Sequence, residues 1–195
     1  MTISSRLGRS LAPVTVAVLL VLLAGGALAA SGGPFTLTAA MPKTLTPDSL
    51  ASAQKTETRG QVSADSRTLT FTQKTVRLVA ETGPEDDMLS YRIGGLRNPT
   101  LVVPRAAMIR LLFVNTDDDM FHNVRFGAAQ KTYPNAMAAY LKASVGTPEL
   151  PHKTETALHG EEMTLRVPDA PGAYAYLCTV RGHAQGGMIG KVVVK

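Results

Sequence analysis

Tryptophan is absent from the 195 residues, tyrosine and phenylalanine contribute five each, and there is a single cysteine, Cys178. One cysteine excludes an intrachain disulfide, a Cys-x-x-Cys redox pair, a four-cysteine zinc site, an iron–sulfur cluster on four thiolates and a two-cysteine dinuclear copper centre. It leaves four roles: inert core residue, nucleophile, reactive thiol, or one ligand of a mixed metal site. No Lys/Arg run with interleaved aromatics is present, so nucleic-acid binding has no support. None of the four histidines stands in a His-x-His pair, the arrangement that oxidases and nitrite reductases with additional copper sites typically use. Charged residues are only 18% against 45% apolar, enough for a core and too apolar for general disorder.

Charge is also missing from one long stretch. Nothing between Arg9 and Lys43 is charged, and Leu11 to Ala30 is almost wholly apolar. Arg6 and Arg9 ahead of this run, and Ala27-Leu28-Ala29 as a small-x-small cleavage site behind it, read as a secretory signal peptide over residues 1–29. Twenty apolar positions also suffice to span a bilayer, so membrane attachment through residues 11–30 is the alternative. Either reading places the domain in the periplasm or on the outer face of the cytoplasmic membrane. No cysteine lies near residue 30, which excludes a lipid-anchored lipoprotein. Losing Arg6 and Arg9 takes two charges from the formal +5, leaving +3, so the full-length pI overstates the basicity of the domain. In an oxidising compartment an exposed free thiol is a liability, whereas a buried or metal-bound one is protected.

Residues 30–45 are small, polar and Gly/Pro-containing and read as a linker. Thr46-Pro47-Asp48 then supplies a helix start, with a Thr cap, a proline in the first turn and an early acid, for a short helix through Gln54. From residue 60 the apolar period becomes two: Leu69 and Phe71; Val76, Leu78 and Ala80; Ile109, Leu111 and Phe113; Met163, Leu165 and Val167; Tyr174, Tyr176 and Cys178; Val192 and Val194. Turn signals separate them, such as Gly83-Pro84, Gly94-Gly95, Asn98-Pro99 and Asp169-Ala170-Pro171-Gly172. This pattern predicts an all-β antiparallel sandwich over residues 46–195 with a short N-terminal helical extension. Gly127 to Gly160 reads as an insertion, with a helical turn or two within Ala136–Ala143. Asp117-Asp118-Asp119 reads as a solvated turn, and His152 and His159 as solvated loop histidines.

The last inter-strand connection spells Cys178-x4-His183-x4-Met188 and leads into a Val-rich strand, while Phe121-His122-Asn123 lies well upstream after a strand and a turn. Together they offer one thiolate, two imidazoles and a thioether. One thiolate and two imidazole nitrogens in a trigonal plane with a weak axial Met hold copper. Glycines let such a loop turn back so that its ligands face one point. Cys178 alone would read as a core thiol, His122 alone as a backbone-satisfied strand histidine and Met188 alone as a gap-filler; the spacing of the set outweighs these. Met120 is the other plausible thioether. Zinc is disfavoured because a thioether is a poor zinc ligand, and a Cys–His nucleophile lacks any oxyanion site.

On these residues the chain resembles the small blue copper proteins, the cupredoxins, and within them the rusticyanin type, with the same loop found in auracyanin-like relatives. The resemblance extends through Tyr176-Leu177-Cys178, Gly182-His183-Ala184, Gly187-Met188, Ile189 to Lys195, Asn98 to Leu101 and Phe113 to Thr116. It implies a Greek-key β-sandwich with one type 1 copper ion, His122, Cys178 and His183 equatorial and Met188 axial. It further implies one-electron transfer between redox proteins such as cytochromes or a terminal oxidase, rather than enzymatic activity. Two departures stand out. Asn123 replaces the Ser that follows the first ligand histidine in rusticyanin, so a very high potential and extreme acid tolerance are not carried over. Arg181 occupies a position where cupredoxin loops commonly have Pro. The competing reading is a copper chaperone or storage protein.

Overall fold

The computed structural model describes residues 35–135 and 137–195. The expected signal peptide or anchor, and its cleavage site, lie outside the described residues. Among the described residues no helix is long and apolar enough to cross a membrane.

The elements run β1 (Thr36–Leu45), α1 (Pro47–Gln54), β2 (Gln61–Val62), β3 (Thr68–Thr70), β4 (Thr75–Thr82), β5 (Tyr91–Ile93), β6 (Leu96–Arg97), β7 (Thr100–Val103), β8 (Met108–Asn115), β9 (Arg125–Ala128), α2 (Ala138–Ala143), β10 (Val145–Gly146), β11 (Leu158–Arg166), β12 (Gly172–Leu177) and β13 (Ile189–Val194). They form two sheets, ordered β1-β11-β8-β4-β5-β6 and β10-β9-β12-β13-β7-β3-β2. The alternating residues face inward as expected. Val76, Leu78, Ile109, Leu111, Phe113, Met163, Leu165, Tyr174, Tyr176, Val192 and Val194 are all in one buried core with Cys178 and Met188. At about 25 cal/mol per Å2 of apolar surface removed from water, this shared core is the main force holding the sheets face to face.

Two expectations need correction. Most of the stretch read as a linker is strand: β1 pairs antiparallel with β11 from Thr36↔Arg166 to Leu45↔Leu158. It escapes the alternation rule because it is an edge strand with mostly exposed residues, and Pro42 is tolerated there. Phe35, just before it, is buried against Phe126 and Tyr174, so the folded domain begins ahead of residue 46. The pairing is also mixed rather than wholly antiparallel, since β4–β8, β13–β7 and β3–β7 run parallel.

The helix α1 starts where the sequence placed it. Thr46 caps it, its hydroxyl accepting from the Ser49 N–H while the Ser49 hydroxyl accepts from the Thr46 N–H. Leu50 packs on Val79, Val114 and Leu158, covering the outer face of the first sheet near its β8 C-terminal end. At that same end of the sandwich β8 stops, β9 begins, β12 stops and β13 begins. Four chain segments therefore converge there.

Candidate metal centre

His122, Cys178, His183 and Met188 meet at this convergence. His122 Nδ1 lies 3.1 Å from Met188 Sδ, 3.2 Å from His183 Nδ1 and 4.0 Å from Cys178 Sγ, and Cys178 Sγ lies 3.5 Å from His183 Nδ1. His122, Cys178 and Met188 have no exposed surface, and His183 retains 8%. Met120, the other thioether considered, is half-buried and not part of this group.

Each donor is carried by a different constraint. Cys178 follows β12 and its N–H donates to the Met188 carbonyl at 3.1 Å, while the Met188 N–H donates to the His183 carbonyl at 2.9 Å. The loop closes on itself through these bonds, with Gly182 and Gly187 at φ +85° and +110°, where a side chain would be strained. Asn98 clamps it from outside, its amide donating to the Gly187 carbonyl at 2.9 Å. His122 sits on a separate segment that pairs with Leu150 through both backbone bonds, so the insertion returns alongside the ligand segment.

Asn123 joins the two segments. Its amide donates to the Thr179 hydroxyl, and its carbonyl oxygen accepts from the Thr179 N–H, both at 2.8 Å. Tyr91 adds a third tie, its hydroxyl donating to the Asn123 carbonyl at 2.6 Å. Thr179 and Tyr91 carried no sequence signal, and Asn98 read only as a turn and as part of the family resemblance, because only the fold brings them here.

Asp117 departs most from expectation. Of the three consecutive aspartates, Asp118 and Asp119 are exposed, but Asp117 is buried. Its Oδ2 lies 3.1 Å from His122 Nε2, and its Oδ1 accepts the N–H groups of Asp119 and Met120 at 2.9 and 3.0 Å. Burial opposes its charge, but the two backbone donors and His122 outweigh that and hold the carboxyl below its ordinary range. Both oxygens act as acceptors, so His122 carries its proton on Nε2 and turns the Nδ1 lone pair to the centre. Such a carboxylate raises ligand basicity and fixes ring orientation. An Asx-type turn was the only clue in the sequence, and it is equally met by a solvated turn.

The electrostatics leave this point short of protons. Burial, reinforced by His122, lowers His183 to about 4, and burial lowers His122 below its usual value. Burial raises the Cys178 thiol to about 11. At neutral pH two imidazole lone pairs, a thioether and a thiol sulfur face one another within a water-poor pocket. Acceptors crowded this way with so few protons fit a soft cation that takes nitrogen and sulfur together. Among the described residues, His122, Cys178 and His183 are the group of such side chains close enough to hold an ion. His152 is half-buried against Phe121, and His159 lies on β11; neither reaches this point.

Comparison with known proteins agrees with this chemistry. Residues 98–195 match the family of copper binding proteins described as plastocyanin/azurin. Rusticyanin from Acidithiobacillus ferrooxidans is 35% identical over 138 residues, covering 70% of this chain and 85% of that protein. Rusticyanin from Acidithiobacillus ferridurans is 34% identical over the same length, covering 71% of that protein. The solved structure of reduced rusticyanin superposes with a TM-score of 0.70 at 28% identity, covering 80% of this chain and 100% of that one. The chain belongs to the copper-binding plastocyanin/azurin family, as a cupredoxin similar to rusticyanin with copper as its cofactor.

Proposed function

We propose that this protein is an exported one-electron carrier, with His122, Cys178 and His183 as the equatorial ligands of a single type 1 copper and Met188 as the axial one. Its membership of a blue copper family supports the carrier role. The observation that carries the ligand assignment is the convergence of these four donor atoms on one buried point. When bound, copper supplies cycling between Cu(I) and Cu(II). The polypeptide does the rest. Asn123, Asn98 and Asp117 hold the donors in fixed positions, so little rearrangement accompanies a change of charge. Burial keeps water out and keeps both imidazoles neutral. His183, the one donor with exposed surface, is the exit to a redox partner.

The partner class implied by the family is another respiratory redox protein, a cytochrome or terminal oxidase, met outside the cytoplasm. Around His183, Gly186 is exposed, Gly182 and Gly187 are half-buried, and Arg181 just ahead of them is exposed. Phe121, beside His122 in the chain, is 49% exposed, and a groove at Asp117 is lined by Glu85, Asp118, Asp119 and Lys153. A copper-handling role would need exchangeable metal; the buried, mutually clamped donors favour retention. Copper loading followed by a reversible redox titration separates the two. A stable blue form that cycles one electron supports the carrier, and rapid loss of copper to an acceptor without a blue form contradicts it.

A further inference from the structure

The two ends of the sandwich differ in charge. The copper end is mixed: exposed Glu85, Asp86, Asp118, Asp119 and Glu149 stand with Arg181, Arg67, an Arg97 paired to Asp87 and a Lys153 paired to Asp118. The far end and the adjoining outer face of the first sheet carry Lys74, Arg77, Arg105, Arg110 and Arg166, all exposed. Register sets them side by side. Arg77 is the direct neighbour of Arg110 across parallel β4 and β8, and Arg166 faces Met108 at the end of the same ladder. Lys74 Nζ donates to the Arg105 carbonyl at 2.8 Å. Among the described residues none of the five has a carboxylate within salt-bridge distance, since the ion pairs lie elsewhere. Asp169 and the carboxylate of Lys195 are the acids of this end, and on the adjoining face Glu57 accepts the Val79 N–H, Glu81 bonds Gln54 of α1 and Glu162 pairs with Lys43.

Like charges directly opposite on neighbouring strands destabilise a sheet, and an external anion would relieve the cost. The face is also only half covered. α1 occupies the half nearest the copper end, where Leu112 packs against its cluster, whereas beside Arg110 the half-buried Met108 and, on the edge strand, the 59% exposed Met41 lie outside that cluster. The chain enters at the cationic end, because Thr36 pairs with Arg166. In the anchor reading, the uncharged apolar run Leu11 to Ala30 precedes this point of entry by a few residues.

We propose that this cationic face docks on an anionic phospholipid surface and so turns the copper end away from the membrane. Cations interleaved with apolar side chains suit a headgroup layer, and the entry point of the apolar run favours lipid over nucleic acid or an acidic protein. The proposal rests on the exported reading given above in its anchor form, with residues 11–30 retained. The test uses the full chain recovered from an exporting host, sedimented with phosphatidylglycerol-containing or pure phosphatidylcholine vesicles at low and high salt. Binding to the anionic vesicles should exceed that to neutral ones by about tenfold and fall with salt, and Arg77→Glu/Arg110→Glu should weaken it by about tenfold again. Lys191→Glu, on the other sheet, should leave it unchanged. All variants should keep the blue absorption after copper loading, which shows that they fold and tests the copper reading separately. Equal binding to both vesicle types, no response to the double reversal, or binding to DNA or acidic protein without vesicle binding would overturn the proposal.

Discussion

The copper end and the opposite end share the same strands, yet each is held by a different kind of interaction. At the far end the strands finish on apolar core residues such as Val103, Ile109, Leu165 and Val194, and charge is kept outside. At the copper end polar groups go inside: Asn115, Asp117, His122, Asn123, Thr179 and His183 are all buried. Their hydrogen bonds are satisfied, and among the described residues no buried side-chain nitrogen or oxygen lacks a partner. Burying polar groups is costly unless each is paired, so such a network specifies one arrangement. The difference shows how one sandwich supplies stability at one end and fixed donor geometry at the other.

Substitutions can separate these two contributions, and Cys178→Ser should do so most completely. It removes the thiolate from the centre, so the thiolate-to-copper visible absorption should vanish while the far end keeps its near-UV signature and vesicle binding. Changing pH should act next most strongly. Between about pH 5 and pH 10 the folded protein holds His183 neutral and Cys178 as the thiol, so binding copper releases one proton. Copper affinity should therefore rise about tenfold per pH unit across that window, measured by competition with a chelator. Without copper, the depressed His183 pKa contributes stability present above about 6.5 and lost as pH falls towards about 4. Denaturation of the copper-free protein should show that loss, whereas the reversal of Arg77 and Arg110 should leave its pH profile in place.

Asn123→Ala removes both bonds to Thr179. A loss of about 2 to 4 kcal/mol in chemical denaturation is expected, together with a broadened copper spectrum. Asp117→Asn keeps the shape but removes the anion beside His122, which favours Cu(I). The midpoint potential should rise by about 59 mV, a tenfold shift of a one-electron couple. An unchanged potential would reduce Asp117 to a turn-former. Arg181→Glu should act least, because the side chain is exposed and screened. A small fall in potential and a few-fold, salt-dependent change in electron-transfer rate are expected; no change in either would remove Arg181 from the account.

Much of the inner structure was legible in the sequence because burial writes period two into strands, as in Ile109-Arg110-Leu111-Leu112-Phe113, and because three of the four donors lie in one short loop of fixed spacing. The helix at Thr46 was legible because its cap is local. β1 was not, since an edge strand with little burial leaves no alternation and Pro42 argues against pairing. The parallel ladders were not, since pairing direction depends on segments distant in sequence. Asp117 was hidden for a related reason: three aspartates in a row read as solvated, and only the approach of His122 selects one of them for burial. The return of Leu150 beside His122 likewise arises from tertiary pairing.

The central claim is that these four side chains hold one copper ion in type 1 geometry. The direct measurement is the visible and EPR spectrum of the purified protein loaded with Cu(II), alongside His122→Ala, Cys178→Ser, His183→Ala and Met188→Leu. An intense blue thiolate-to-copper band with the narrow copper hyperfine splitting of a type 1 site is expected, lost with Cys178 and altered by each of the other three. A colourless copper-loaded protein without a type 1 signal would contradict the account.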